Sequence, residues 1–178
     1  NSAIRFVFPN SPSIPVTING GYIMPAWYDI LDRSIERKVD LSHLHASAVK
    51  IQALIDREIE RGICANRIVI AGFSQGGAVA FQAALTYPKP LAGLLVMSTY
   101  FASKNSIEIN PANSAINIAI MHGSLDQVVS PILGEQALQT LSEMGFQPSY
   151  KSYTIGHAVC AEQINDISAW LLECLSDT

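Results

Sequence analysis

Three features are scarce in this chain, and each absence argues against a class of protein. Its three cysteines, Cys64, Cys160 and Cys174, are odd in number and lack C-x-x-C spacing, so they indicate neither a disulfide framework nor a zinc site. Lysine and arginine total 11 against 15 acidic residues, and no basic run points to nucleic acid. The longest apolar runs, such as residues 94–97, are far too short to span a membrane.

The remaining composition is typical of a globular domain. The 178 residues are 49% hydrophobic and 15% charged, with a net charge of −4, and such a chain can bury a substantial core. We therefore expect one domain over residues 1–178 that acts in a reducing cytoplasm, does not insert stably into a membrane, and holds no metal.

Strand-like and helix-like segments alternate along most of the sequence. Strands are predicted at 4–8, 67–71, 91–98, 116–121 and 150–153, and helices at 44–61, 75–87, 131–144 and around 164–175. This order predicts an α/β fold with a mostly parallel sheet, helices on both faces, and chemistry at the carboxyl ends of the strands. Residues 9–25 have no sustained period and are expected to form an irregular loop. Met24 and Trp27 would either line a site there or pack beneath the loop.

The stretch RIVIAGFSQGGAVAFQAA, residues 67–84, is the most informative part of the chain. A β-branched run, predicted to be buried on both faces, changes into a helix within two or three residues, with Ser74 at the apex. Side chains at Gly72 and Gly76 would collide in so sharp a turn. The pattern G-x-S-x-G is typical of the nucleophile elbow of α/β-hydrolases, where the helix N-terminus can stabilise an oxyanion.

A serine nucleophile needs a histidine base and an acid that orients it. The chain order serine, acid, histidine excludes His43 and His45, which would also face different ways on a helix and so form a poor metal pair. With His122 as base, the only acid available would be Glu108, in an irregular segment. With His157 as base, the acid could also be Asp126, Glu135 or Glu143.

Among these acids, Asp126 follows a predicted strand directly, whereas Glu135 and Glu143 fall within a predicted helix. His157 also follows a strand. Taken alone, either residue would be an ordinary loop residue. Three strand ends nevertheless bring Ser74, Asp126 and His157 to one edge of the sheet, and we predict that they form a catalytic triad.

Four stretches resemble the bacterial carboxylesterase and acyl-protein thioesterase family of serine hydrolases: FPNSPSIPVTINGGYIMPAWYDI, RIVIAGFSQGG, MHGSLDQVV and GHAV. The resemblance implies an α/β-hydrolase that cleaves carboxylic esters or thioesters of short to medium acyl chains without a cofactor. It also implies that Gln75 supplies a backbone oxyanion donor and that Met24 and Val128 line the acyl pocket. Substrates would be small molecules or acylated proteins, and a homodimer is possible.

The chain departs from the family in one segment. The family has an H-G-x-G segment that supplies the second oxyanion N–H, and this segment is absent here. The strand that precedes the segment is absent as well. In this fold, that strand lies between the strand of residues 4–8 and the elbow strand. An unfilled position there would leave unpaired backbone groups within the sheet. Our hypothesis is that these residues are part of a longer protein.

Two rival functions follow from these observations. A chain without its second oxyanion donor could be a catalytically silent, hydrolase-shaped binding protein. Thiol-dependent lactone hydrolysis is disfavoured, because the elbow holds serine rather than cysteine.

The triad predicts an acid limit to activity. Imidazole accepts a proton only when it is neutral, so kcat/KM should fall as the pH decreases through roughly 6 to 7. The measurement is the pH profile of ester hydrolysis, and a flat profile between pH 5 and pH 8 would contradict a histidine base.

Overall fold

The computed structural model describes residues 3–32 and 38–176. Its strands are β1 (Ser13–Val16), β2 (Tyr22–Pro25), β3 (Val69–Phe73), β4 (Gly93–Met97), β5 (Asn117–Gly123) and β6 (Ser149–Tyr153). Its helices are α1 (Leu41–Glu60), α2 (Gln75–Leu85), α3 (Pro131–Glu143) and α4 (Ala161–Ser176).

A parallel sheet with the strand order β3-β4-β5-β6 lies at the centre of the fold. Phe73, Met97 and Met121 lie side by side across the first three strands. Because the strands run in the same direction and in this register, their carboxyl ends meet at one edge. The loops that follow β3, β5 and β6 carry the three residues of the predicted triad, and the predicted α/β class is confirmed.

Alternation along the strands produces a core on each face of the sheet. Leu94 and Val96 of β4 pack in one apolar cluster with Phe81 of α2. Leu95, between them in sequence, faces the other way and belongs to a second cluster, against which Trp170 of α4 packs. Helices therefore cover both faces, as the sequence predicts.

The boundaries of α1 follow from local chemistry. The Asp40 side chain accepts hydrogen bonds from the backbone N–H groups of Ser42 and His43, which have no acceptor within the helix. Just beyond the other end, Gly62 has a φ of +94°, a conformation that glycine adopts at little cost. The predicted helix at 44–61 thus matches the observed one closely.

Two expectations about the N-terminal part of the chain are wrong. The predicted irregular loop at 9–25 contains an antiparallel hairpin of β1 and β2, in which Ile14 pairs with Met24. Its prolines obscure the strand pattern, because proline weakens a sequence-based strand assignment even in a short two-stranded sheet. The predicted strand at 4–8 does not form, since none of the described strands pairs with it and its side chains are exposed.

A cavity of about 660 Å³ is lined by residues 3–9, by residues 67–73 and by side chains of α1 and α4. Within the described part of the chain, β3 has a hydrogen-bonded neighbour, β4, on one side only. Ala71 in the middle of β3 is therefore exposed rather than buried on both faces as predicted. The hypothesis that a further strand of a longer protein belongs here stays a prediction.

Across residues 3–32 and 38–176, the helices are either too short or too polar to cross a lipid bilayer.

At the elbow, the two positions that have no room for a side chain are 72 and 77, whereas the sequence predicts 72 and 76. A Cβ atom at Gly72 would lie 2.2 Å from the Gly76 carbonyl oxygen, which leaves no room for it. A Cβ at Gly77 would lie 2.6 Å from the Thr99 Cβ. A Cβ at Gly76, in contrast, would meet only Trp27 Nε1 at 3.8 Å, so the predicted collision at Gly76 is wrong.

These contacts predict a graded stability series. Gly72→Ala should lower the free energy of unfolding by about 3 kcal/mol, because backbone atoms must move to admit the methyl group. The matched control, Gly76→Ala, should stay within about 1 kcal/mol of the wild type, since it finds space and alanine favours a helix. Urea unfolding followed by circular dichroism measures both. Equal losses in the two variants would contradict this packing.

Candidate active site

Ser74 occupies the turn between β3 and α2 in a backbone conformation that non-glycine residues rarely adopt, with φ 55° and ψ −123°. Such a conformation costs about 1–3 kcal/mol and persists only where its surroundings hold it. The Ser74 N–H donates to the Met97 carbonyl at 2.9 Å, and the Thr99 hydroxyl donates to the Ser74 carbonyl at 2.6 Å. The end of β4 thus holds the turn in place.

The hydroxyl of Ser74 begins an unbroken polar chain. Ser74 Oγ lies 3.0 Å from His157 Nε2, and His157 Nδ1 lies 2.7 Å from Asp126 Oδ2. A carboxylate only accepts hydrogen bonds, so the compatible tautomer carries its hydrogen on Nδ1 and leaves Nε2 free to accept the serine proton. The side chains are thus placed as a nucleophile, a base and an orienting acid.

Two parallel loops set the distance between Asp126 and His157. After β5 and β6 end, the N–H of Ser124 donates to the Tyr153 carbonyl at 2.8 Å, and that of Leu125 donates to the Ile155 carbonyl at 3.0 Å. The loops approach so closely at Gly123 that a Cβ there would lie 2.3 Å from the Gly156 carbonyl oxygen. Backbone hydrogen bonds between the two loops thus continue the pairing of β5 with β6 beyond the strands. This pairing brings Asp126 and His157 together.

The Asp126 side chain is fully buried, whereas the His157 side chain is 18% exposed. Burial by itself raises the pKa of the Asp126 carboxyl. Hydrogen bonds from His157 and from the backbone N–H groups of Val129 and Val128 outweigh burial, and the pKa lies below its ordinary value. Asp126 is therefore ionised at neutral pH and can stabilise an imidazolium.

The ring of Phe73 packs against the imidazole of His157, with ring centroids 4.7 Å apart and an interplanar angle of 44°. Phe73 is the last residue of β3 and precedes the serine directly. One end of the elbow strand thus limits the movement of the base as well as carrying the hydroxyl.

Gln75 acts here in a way that the sequence did not predict. Its side-chain oxygen accepts from the N–H of Trp27 at 3.0 Å, and its side-chain nitrogen donates to the Tyr28 carbonyl at 3.0 Å. These bonds tie the segment after β2 to the elbow. The backbone N–H of Gln75 begins α2, where helix geometry provides no intrahelical acceptor.

Beside the serine lies a cavity of about 560 Å³ whose lining is largely apolar. Met24 and Val128 line it, together with Ser74 and Gln75. Trp27 does not: it lines the larger cavity beside β3, and its indole nitrogen faces Gly76. The structure thus brings together every predicted site residue except Trp27.

Several residues that shape the site escaped the sequence analysis. Thr99 supports the elbow through both its hydroxyl and its packing on Gly77. Tyr28 and Tyr100 share a buried hydrogen bond of 2.8 Å between their hydroxyl groups, and Tyr100 lines the cavity. A sequence offers little signal for such residues, because their roles depend on contacts 25 to 72 positions apart.

His43 and His45 are both exposed, near the start of α1. Among residues 3–32 and 38–176, no group of three or more histidine, cysteine or acidic side chains is arranged to hold a metal ion.

The lowered pKa of Asp126 predicts a pH-dependent loss of stability. A carboxyl with a lower pKa in the folded than in the unfolded chain stabilises the fold above the unfolded value, ordinarily 3.8, and this contribution is lost as the pH falls further. Asp126→Asn should therefore cost about 1.5–3 kcal/mol at pH 6, and the difference from wild type should shrink below about pH 4. Urea unfolding from pH 3 to pH 7 measures it. A difference that grows on acidification would contradict the assignment.

The sequence is similar to known hydrolases along nearly its whole length. Residues 1–175 match the family described as Phospholipase/Carboxylesterase. Acyl-protein thioesterase 1 of Neurospora crassa is 39% identical, over 97% of this chain and 74% of that protein. Acyl-protein thioesterase 1 of Schizosaccharomyces pombe is 40% identical, over 78% of this chain and 62% of its own length.

Two solved plant structures are similar to the whole fold. The crystal structure of Arabidopsis thaliana SOBER1 has a TM-score of 0.88 at 30% identity, over 95% of this chain and 83% of that one. That of Zea mays acyl-protein thioesterase 2 has a TM-score of 0.82 at 29% identity, over 94% and 80%.

Proposed function

This chain belongs to the Phospholipase/Carboxylesterase family of α/β-hydrolases, and we propose that it cleaves esters or thioesters of short to medium acyl chains through an acyl-enzyme on Ser74. That it is an esterase or thioesterase follows from the family. The observation that carries the mechanism is the continuous contact from Ser74 Oγ through His157 to the buried Asp126 carboxylate.

In the first half of the reaction, His157 Nε2 removes the hydroxyl proton while Ser74 Oγ forms a bond to the acyl carbonyl carbon. The imidazolium, stabilised by Asp126, then gives that proton to the leaving alcohol or thiol as the bond to it breaks. In the second half, the same nitrogen takes a proton from water as the water oxygen attacks the acyl carbon. It returns that proton to Ser74 Oγ as the bond between the acyl carbon and the serine breaks and the acid leaves. No cofactor enters this scheme.

The tetrahedral intermediates place a negative charge on the former carbonyl oxygen. The backbone N–H of Gln75, at the N-terminus of α2, is the donor that we assign to this oxyanion. A second donor, in the H-G-x-G segment that the family resemblance implies, stays a prediction. Loss of one donor costs about a hundred- to a thousandfold in turnover in other serine hydrolases.

The acyl chain is assigned to the cavity beside Ser74. Met24 on β2 and Val128 after Asp126 contribute apolar surface, while Asn19, Asp32 and Gln127 add polar groups. Such a lining suits a short to medium acyl chain attached to a polar leaving group. Trp27, which lies outside this cavity, is not part of the proposed pocket.

Relatives named acyl-protein thioesterase favour acylated proteins as substrates. The cavity is also compatible with small esters. Cytoplasmic action and a homodimer stay predictions, as does the absence of nucleic-acid partners.

Covalent labelling tests the proposed nucleophile. A fluorophosphonate probe should modify the wild-type protein, because only an activated serine reacts with it. Ser74→Ala should abolish labelling and reduce ester hydrolysis by about a thousandfold or more. The control Ser142→Ala, on the exposed side of α3, should behave as wild type.

Absence of labelling in a folded wild-type chain would favour the rival function, a catalytically silent hydrolase-shaped binding protein. If labelling occurs, rates measured on matched oxygen esters and sulfur esters of increasing acyl length identify the preferred substrate.

A further inference from the structure

The proposed mechanism leaves a buried histidine unused. His122 on β5 has no solvent-exposed surface. Apart from Asp126, it is the only histidine, lysine, arginine or acidic residue that is buried among the described residues. Burial of a polar side chain costs free energy unless hydrogen bonds replace those lost to water. The hydrogen bonds of His122 therefore indicate its role.

One nitrogen of His122 faces the loop of the predicted acid. Nε2 lies 2.9 Å from the Val129 carbonyl oxygen and 3.6 Å from Asp126 Oδ2. A carbonyl oxygen can only accept, so Nε2 carries the hydrogen and donates it to Val129. The Asp126 carboxylate lies near this N–H but is not its hydrogen-bond acceptor.

The other nitrogen, Nδ1, faces α3. A Cβ atom at Gly134 would lie 2.5 Å from it, so glycine at this position is what lets the helix approach the imidazole. Nδ1 has no hydrogen-bond partner among the described residues. A hydrogen there would be buried without an acceptor, and these contacts therefore favour the neutral ring with its hydrogen on Nε2.

Val129 connects His122 to the acid through both of its backbone polar groups. Its N–H donates to Asp126 Oδ1 at 2.8 Å, and the Val128 N–H donates to the same oxygen at 2.9 Å. Its carbonyl, on the opposite side of the residue, accepts from His122. With Oδ1 held in this way, Oδ2 is the oxygen presented to His157 at 2.7 Å.

We propose that His122 is a positioning residue: its neutral ring holds residues 124–130, here named the acid loop, so that Asp126 presents Oδ2 to His157. The inference rests on the proposed function. His122 does not touch the substrate or the reacting atoms and acts entirely through Asp126.

Matched substitutions test the role. In His122→Gln, the amide nitrogen can occupy the position of Nε2 and donate to Val129, so kcat should stay within about threefold of wild type. In His122→Asn, the amide is too short to reach, and kcat should fall about ten- to a hundredfold with KM nearly unchanged, because small displacements of catalytic groups are costly. Circular dichroism should show both variants folded.

A double-mutant cycle separates positioning from general damage to the structure. If His122 acts through Asp126, adding His122→Asn to Asp126→Asn should reduce kcat by less than about twofold further. A loss as large as that in the wild-type background would overturn the proposal. So would wild-type activity in His122→Asn, or a failure of His122→Gln to recover activity.

A measurement on the unmodified protein keeps the test decisive if a variant does not fold. Two-bond ¹H–¹⁵N correlation spectra at neutral pH should show His122 with its hydrogen on Nε2 and His157 with its hydrogen on Nδ1. A His122 ring protonated on Nδ1 would overturn the proposal. If Ser74→Ala retains activity, the proposed function itself fails; if Ser74→Ala and Asp126→Asn are inactive but the His122 variants are normal, only this inference fails.

Discussion

The contact on which the rest of the site depends is the one between Gly72 and the peptide of Gly76. The carbonyl oxygen of Gly76 occupies the space that a side chain at position 72 would need, so β3 and α2 approach more closely than any other residue at position 72 would allow. Because strand and helix are so close, the turn between them is sharp, and Ser74 takes up a strained backbone conformation with a positive φ. Bonds from Ser74 to Met97 and from Thr99 to Ser74 compensate for the strain.

A second constraint is electrostatic. The Asp126 carboxylate is removed from water, and only directed hydrogen bonds keep it charged there. Two of them come from the backbone of its own loop, and the third comes from the base. These hydrogen bonds require the loop to keep one conformation. The buried imidazole of His122 contacts the loop at the Val129 carbonyl.

The cavity beside Ser74, to which we assign the acyl chain, depends on the N-terminal part of the chain. The β1–β2 hairpin supplies Met24, and Gln75 ties the segment that follows β2 to the elbow through two hydrogen bonds. A single residue thus connects the nucleophile turn with the wall of the pocket. The hairpin contributes to this cavity, whereas the contacts between Ser74, His157 and Asp126 are made by residues that follow strands of the parallel sheet.

Much of the fold and of the site was predictable from the sequence. The period of the apolar residues, the punctuation by glycine and proline, and the G-x-S-x-G turn predicted the sheet, its helices and the position of Ser74, because these signals are local. Asp126 and His157 were found because parallel strands must end at one edge of the sheet.

The sequence by itself determined the alternation of elements and therefore the edge at which Ser74, Asp126 and His157 lie. Tertiary structure alone decided the register that brings their atoms within hydrogen-bonding distance. It decided which glycines make room for a neighbouring chain segment, and it decided that residues 9–25 contain a hairpin. It also decided that Trp27 lines the cavity beside β3 and not the one beside Ser74, and that His122 contacts the acid loop. These outcomes depend on contacts between residues far apart in the chain, and no local pattern encodes a distance across the fold.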